Sequence, residues 1–256
     1  MTNTISAILS AYTDPVALFI DFDGTLVEIA PQPDAIHVPG ALIDRLVSLE
    51  RSLDGALALV TGRTIGDIDR FLSAHTLTIS GSHGLERRHR GQTVEPPAHL
   101  SGAAEAISTL MARKFGEDER ILIERKPAGV AVHYRAAPER GDEVRAEMAQ
   151  ALTETADFHM IDGKKVVEAR PAGTDKGTAI AALMAEPPFS GRTPVFIGDD
   201  VTDEDGFRAV NAMGGIGIKV GEGDTAARFR LPDVGAVHEL LEAFADGEAD
   251  DTQETN

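Results

Sequence analysis

Short apolar runs alternate with amphipathic stretches along this chain, and few folds accept such an alternation. The runs are 16–20, 56–60, 77–80, 194–197 and 216–220, most of them continuous in apolar residues, as strands buried on both faces of a parallel sheet are. Between them, Leu42, Leu46, Leu49 and Leu53 are spaced for one helical face, as are Ile65, Ile68 and Phe71, and Ile180, Leu183 and Met184. Strands and helices in alternation, joined by right-handed crossovers, imply an α/β fold with a Rossmann-like parallel-sheet core.

The alternation is interrupted once. Residues 87–100 are polar, with Gly91, Pro96 and Pro97, and read as a linker; Ser101 then offers a helix cap. Residues 121–125 and 130–135 flank Pro127-Ala128-Gly129 as a hairpin. Val144, Met148 and Leu152 mark a helix, and residues 158–161 and 166–169, joined through Asp162-Gly163, read as a second hairpin. The expectation is an inserted α+β cap domain, 97–170, dividing a discontinuous core of 1–96 and 171–256. Residues 246–256, rich in acids and without a base, read as a disordered tail.

The net charge of −18 disfavours nonspecific nucleic-acid binding and adhesion to anionic membranes. An anionic ligand would need a local positive patch or a bound cation. No apolar run approaches the roughly 20 residues that span a bilayer. The absence of cysteine excludes disulfides and thiolate metal sites, and fits a cytoplasmic location.

In open α/β sheets the chemistry sits at the carboxyl ends of the strands. Here the first strand ends in Asp21-Phe22-Asp23-Gly24-Thr25, the second in Thr61-Gly62-Arg63, and the fourth in Gly198-Asp199-Asp200-Val201-Thr202-Asp203. Thr64 with Asp67, and Thr202 with Asp205, have capping-box spacing, which puts Asp203 in the first turn of a helix. Lys176, at the start of another helix, adds an ammonium group. Carboxylates this close need a cation, a shared proton or solvent, and an all-oxygen set suits a hard ion such as Mg²⁺. Thr61, Lys176 and backbone N–H groups supply donors for a phosphoryl group. The residue types describe metal-assisted phosphoryl transfer.

These four motifs, in this order and with room for a cap, resemble those of the haloacid-dehalogenase-like phosphohydrolases. The resemblance implies Asp21 as nucleophile, through an aspartyl-phosphate, and Asp23 as the acid and base that moves the proton. It also implies Mg²⁺ held by Asp21, the Asp23 carbonyl and Asp199, Thr61 and Lys176 as phosphoryl contacts, and Asp203 as a supporting residue. ERKPAGVAVHYR, VVEARPAGTDKGTAI and GSHGLE are similar to stretches of trehalose-6-phosphate phosphatases, over 16–244. That similarity implies hydrolysis of a small sugar phosphate, trehalose 6-phosphate, to trehalose and phosphate, with Glu124, Lys126, Arg135 and Glu168 on the sugar hydroxyls and His83 as a further contact. A trehalose-6-phosphate synthase is then the expected pathway neighbour, on a separate chain. Arg63, His133 and Arg170 can each instead pair with a nearby acid. Asp175, where asparagine is common, is expected to act as a helix cap. Related sugar phosphatases, a phosphomutase and a non-catalytic sugar-phosphate sensor are the alternatives.

Overall fold

The computed structural model describes residues 2–12, 15–30, 35–73 and 76–251. In chain order the elements are α1 (Thr2–Leu9), β1 (Val16–Ile20), α2 (Leu42–Ser52), β2 (Leu57–Val60), α3 (Ile65–Leu72), β3 (Thr78–Gly81), β4 (Glu86–His89), β5 (Gln92–Val94), α4 (Ala98–Phe115), β6 (Leu122–Lys126) and β7 (Gly129–His133). There follow α5 (Gly141–Leu152), β8 (Phe158–Gly163), β9 (Val166–Pro171), α6 (Lys176–Met184), β10 (Thr193–Gly198), α7 (Asp203–Ala212), β11 (Ile216–Val220), β12 (Phe229–Leu231) and α8 (Val234–Asp251). The chain divides into two compact units, Met1–Thr93 with Asp175–Asn256, and Val94–Thr174.

The first unit is built on one sheet in the order β12-β11-β10-β1-β2-β3-β4-β5. From β12 to β3 the strands are parallel, and β4 runs antiparallel to β3. All five residues of β1 are buried, with Leu18 opposite Val195 on one side and Leu57 on the other. Phe19, Phe189, Phe196 and Phe207 are fully buried around it, each contributing about 1.5–3 kcal/mol by leaving water. The chain leaves β1 in one direction through β2 and β3, and is completed in the other through β10, β11 and β12. The direction of winding therefore reverses between β1 and β10, and their carboxyl ends open the crevice where such sheets bind ligands.

The second unit is a four-stranded antiparallel sheet, β6-β7-β9-β8, packed on α4 and α5. Val130, Val132, Val167, Ala169 and Phe158 form its buried face against Ile107, Met111, Phe115, Val144 and Met148. Strand alternation turns Glu124, Lys126, Ala131, His133, Glu168 and Arg170 to the opposite face.

Several expectations give way here. The linker at 87–100 contains β5 and all of β4 but its first residue, Glu86, and α4 starts at Ala98, so Ser101 lies inside its first turn rather than capping it. β4 escapes a hydrophobic pattern because its inward residues are charged and paired. Arg88 forks onto Asp69 at 2.8 Å on both arms, and Glu86 accepts from the Ser82 hydroxyl and the Ile65 N–H. The second hairpin turns at Lys164-Lys165, not at Asp162-Gly163, which are paired with Val167 and Val166. β7 ends at His133, so Arg135 sits beyond the strand in an exposed turn. Thr202 makes no side-chain cap. α8 continues to Asp251, so 246–251 is helical where a tail was expected; a helix anchored by Val237, Leu240, Leu241 and Phe244 propagates at one hydrogen bond per residue. Residues 252–256 lie outside the described residues. Among the described residues no helix is long and apolar enough to cross a membrane.

Candidate active site

Asp21 follows the last residue of β1, and its N–H is tied to the Ile197 carbonyl at 2.9 Å, so the strand register fixes where its carboxylate emerges. Lys176 opens α6, whose cap is the expected Asp175, in a reciprocal box with Thr178. Its ammonium reaches Asp21 Oδ1 and Asp203 Oδ1, both at 2.6 Å. Asp203, the first residue of α7, is fully buried and turns its second oxygen back on the loop after β10, accepting the Asp199 and Asp200 N–H groups at 2.9 and 2.8 Å. This carboxylate ties down the loop that precedes α7, and locks Lys176 and the Asp199 loop together.

Asp21, Asp199 and Asp203 each offer a carboxylate oxygen, all within 4.8 Å of one another, and the Lys176 ammonium bridges two of them. Both Asp203 oxygens are engaged. Lys176 holds Asp21 Oδ1 at 2.6 Å, and the Thr25 hydroxyl donates a long hydrogen bond of 3.4 Å to Oδ2. Asp199 draws no hydrogen bond to its carboxylate from any described residue. The Asp199 carboxylate lies against Gly24, where a Cβ would come within 2.2 Å of Oδ2; Gly24 also stands at φ +76°, so the turn and the packing both require glycine. An under-neutralised, all-oxygen donor set of this kind fits a hard divalent cation, with Asp21 and Asp199 as the available carboxylates.

The charge imbalance is visible in the acids themselves. Burial pushes the Asp21 carboxyl well above the usual range, the Asp203 and Asp199 charges add to it, and Lys176 offsets only part. Asp199 is pushed up to about 7, by burial first and then by Asp203 and Asp200. For Lys176 burial acts downward, but Asp203 and Asp21 together hold the ammonium above its ordinary range.

Asp23 does not join this cluster. Arg63 grips it by both oxygens, Nε to Oδ2 at 2.6 Å and Nη2 to Oδ1 at 2.7 Å, and the guanidinium stands 5.0 Å from the Phe71 ring centroid and 5.9 Å from that of Phe22. Thr61, at the carboxyl end of β2, is buried; its hydroxyl accepts the Arg63 N–H at 3.1 Å. His83 lies in the turn after β3 and is buried.

In the second unit, Glu124, Lys126 and Glu168 share the polar sheet face. Lys126 forms an ion pair with Glu168 at 2.9 Å and His133 a hydrogen bond with Glu124 at 2.8 Å, so these polar groups of the face are paired with one another. Two residues escaped the sequence reading. Lys219 is buried in β11 and donates to the Asp199 carbonyl, and Glu86 is buried behind the β3 turn. A lysine inside the otherwise apolar run Ile216–Val220 was the available signal for the first.

Comparison with known proteins places this geometry. The chain is 43% identical over 229 residues, 88% of its length and 85% of the other's, to a protein of Escherichia coli strain K12 named trehalose-6-phosphate phosphatase. A crystal structure titled as a trehalose-6-phosphate phosphatase related protein superposes with a TM-score of 0.77 at 27% identity, over 94% of this chain and all of that one. A phosphatase of the haloalkanoate (HAD) enzyme superfamily from Bacteroides thetaiotaomicron shares the fold, with a TM-score of 0.59 at 16% identity over 90% of this chain and 94% of its own. The family described as trehalose-phosphatase matches residues 19–234, from the strand that delivers Asp21 to the start of α8, and the chain belongs to that family.

Proposed function

We propose that this chain hydrolyses trehalose 6-phosphate to trehalose and inorganic phosphate, through a phosphorylated Asp21. The observation that carries the reading is the buried Asp21–Lys176–Asp203 bridge beside Asp199 at the reversal point of the sheet. Lys176 holds one Asp21 oxygen and leaves Oδ2 to attack phosphorus. The new bond is Oδ2–P, and the bond that breaks is P–O to the sugar, whose oxygen takes a proton from Asp23. Water then attacks the phosphorus of the aspartyl-phosphate, Asp23 recovers a proton from it, and the Asp21 carboxylate is regenerated. Because Arg63 engages both Asp23 oxygens, one guanidinium arm must give way for Asp23 to reach the leaving oxygen. Thr61 and Lys176 hold the phosphoryl group, and Asp203 keeps Lys176 and the Asp199 loop in register.

Phosphatases of this superfamily are generally Mg²⁺-dependent, and Asp21, Asp199 and the Asp23 carbonyl would hold the ion here. Bound there, it would neutralise the carboxylates and the phosphoryl oxygens. A pH dependence follows. Below about pH 7 Asp199 keeps its proton and an incoming cation must displace it; above, the carboxylate is ready. Because its folded pKa is raised, the metal-free fold also loses stability as pH rises through that value. Mg²⁺ should therefore raise Tm more at pH 8 than at pH 5.5 in thermal melts, and an equal rise at both would remove Asp199 from the ion's ligands.

For the sugar we assign Glu124, Lys126, Arg135 and Glu168, with His83 as a further contact, because paired acids and bases give donors and acceptors to a polyhydroxylated ligand. A trehalose-6-phosphate synthase on a separate chain would supply that ligand. Glu124→Ala or Lys126→Ala should lower kcat/KM for trehalose 6-phosphate at least about ten-fold while sparing p-nitrophenyl phosphate, since each removes a charged hydrogen bond that only the sugar uses. Equal losses on both substrates would take specificity away from this face.

A further inference from the structure

The turn after β3 is strained in a way that the chemistry above leaves unused. Ser82, His83 and Gly84 stand consecutively in left-handed backbone, at φ +48°, +55° and +99°. Non-glycine residues are uncommon in that region, serine more so than histidine, and such strain persists only where the surroundings over-determine it. The constraints are identifiable. The Ser82 N–H donates to the Arg63 carbonyl at 2.8 Å and the His83 N–H to the Thr61 carbonyl at 3.0 Å. The Ser82 hydroxyl donates to Glu86 Oε1 at 2.8 Å, and the Ile65 N–H to Glu86 Oε2 at 2.9 Å. Glu86 is only 4% exposed, a buried carboxylate that joins the strained turn to the first residue of α3.

This turn touches both elements that carry the phosphoryl contacts. The His83 ring lies on Gly62, where a Cβ would fall 2.6 Å from Nε2. A Cβ on Gly84 would come 3.4 Å from the Asp175 carbonyl and 3.2 Å from Ala179 Cβ, so the turn also packs on the start of α6, which presents Lys176. Glycine at 82 or 83 would relieve the strain, yet the chain keeps a hydroxyl and an imidazole there. We propose that Glu86 and Ser82 form a brace that sets the Thr61–Arg63 loop against the start of α6 at the spacing that grips a phosphoryl group. Glu86 is thus a positioning residue for phosphate binding, an inference that rests on the reading of Thr61 and Lys176 as phosphoryl contacts.

The test uses inorganic phosphate as the probe, through its competitive inhibition constant against p-nitrophenyl phosphate with Mg²⁺ present. Glu86→Gln sets an amide donor against the Ser82 hydroxyl or the Ile65 N–H, whereas Ser82→Ala removes the hydroxyl alone. Both should raise the inhibition constant at least about five-fold at a temperature where circular dichroism shows the variants folded, as expected for a misplaced charged hydrogen bond. The control Thr61→Ala should do the same. A lowered Tm with unchanged phosphate inhibition in the Glu86 and Ser82 variants would make the brace a feature of the fold alone and overturn the inference. Should Glu86→Gln fail to fold, the milder Ser82→Ala decides. Unchanged inhibition in Thr61→Ala would instead overturn the phosphoryl-contact reading.

Discussion

Asp21→Asn is expected to abolish turnover while leaving the protein as stable as before, or more so. The amide keeps the shape of the carboxylate and can still accept from Lys176, but it is no nucleophile, so a loss on the order of 10⁴-fold or more is expected. The stability side follows from electrostatics. Asp21 is buried between Asp203 and Asp199, and burial already pushes its carboxyl well above the usual range. Removing that charge without metal relieves desolvation and repulsion together, at the cost of one partner of Lys176, which keeps Asp203. Phosphate release and a metal-free melt at pH 8 check both halves. Turnover near wild type would remove Asp21 as the attacking group.

The same substitution at Asp203 should do the reverse to stability. Asp203 spends one oxygen on Lys176 and the other on two backbone N–H groups, and is fully buried. Asp203→Asn must set its NH₂ against the ammonium or against those N–H groups, and either choice leaves buried donors facing each other. We expect a loss of about 3 kcal/mol in urea denaturation, as for a broken buried pair, and a fall in kcat of about 100-fold as Lys176 and the Asp199 loop drift. Stability equal to wild type would mean that Asp203 does not brace the site. The opposite signs follow from their partners, which for Asp203 include two backbone N–H groups that Asp21 lacks.

The parts of the fold that were legible are those whose residues announce their environment alone. Residues 16–20 and 216–220 read as buried strands because almost every side chain in them is apolar, and the acids after the first and fourth strands read as a site because carboxylates so close require an explanation. β4 was not legible, since Glu86 and Arg88 face inward by pairing with Ser82, Ile65 and Asp69, residues that only folding brings near. The hairpin at Lys164-Lys165 misled for a related reason. Asp-Gly is a local turn signal, whereas register is set by Val167 and Ala169 packing into the core of the second unit. The Arg63 grip on Asp23 spans 40 positions and leaves no periodic trace.

If the acidic cluster cleaves a phosphate ester of one particular sugar with a metal's help, phosphate release from a panel of trehalose, sucrose, glucose and mannose phosphates, each with Mg²⁺ and with a chelator, must depend on both the sugar and the metal. Release should be fastest by far from trehalose 6-phosphate and should vanish with the chelator. Comparable rates across the panel, or release that survives chelation, would contradict that chemistry.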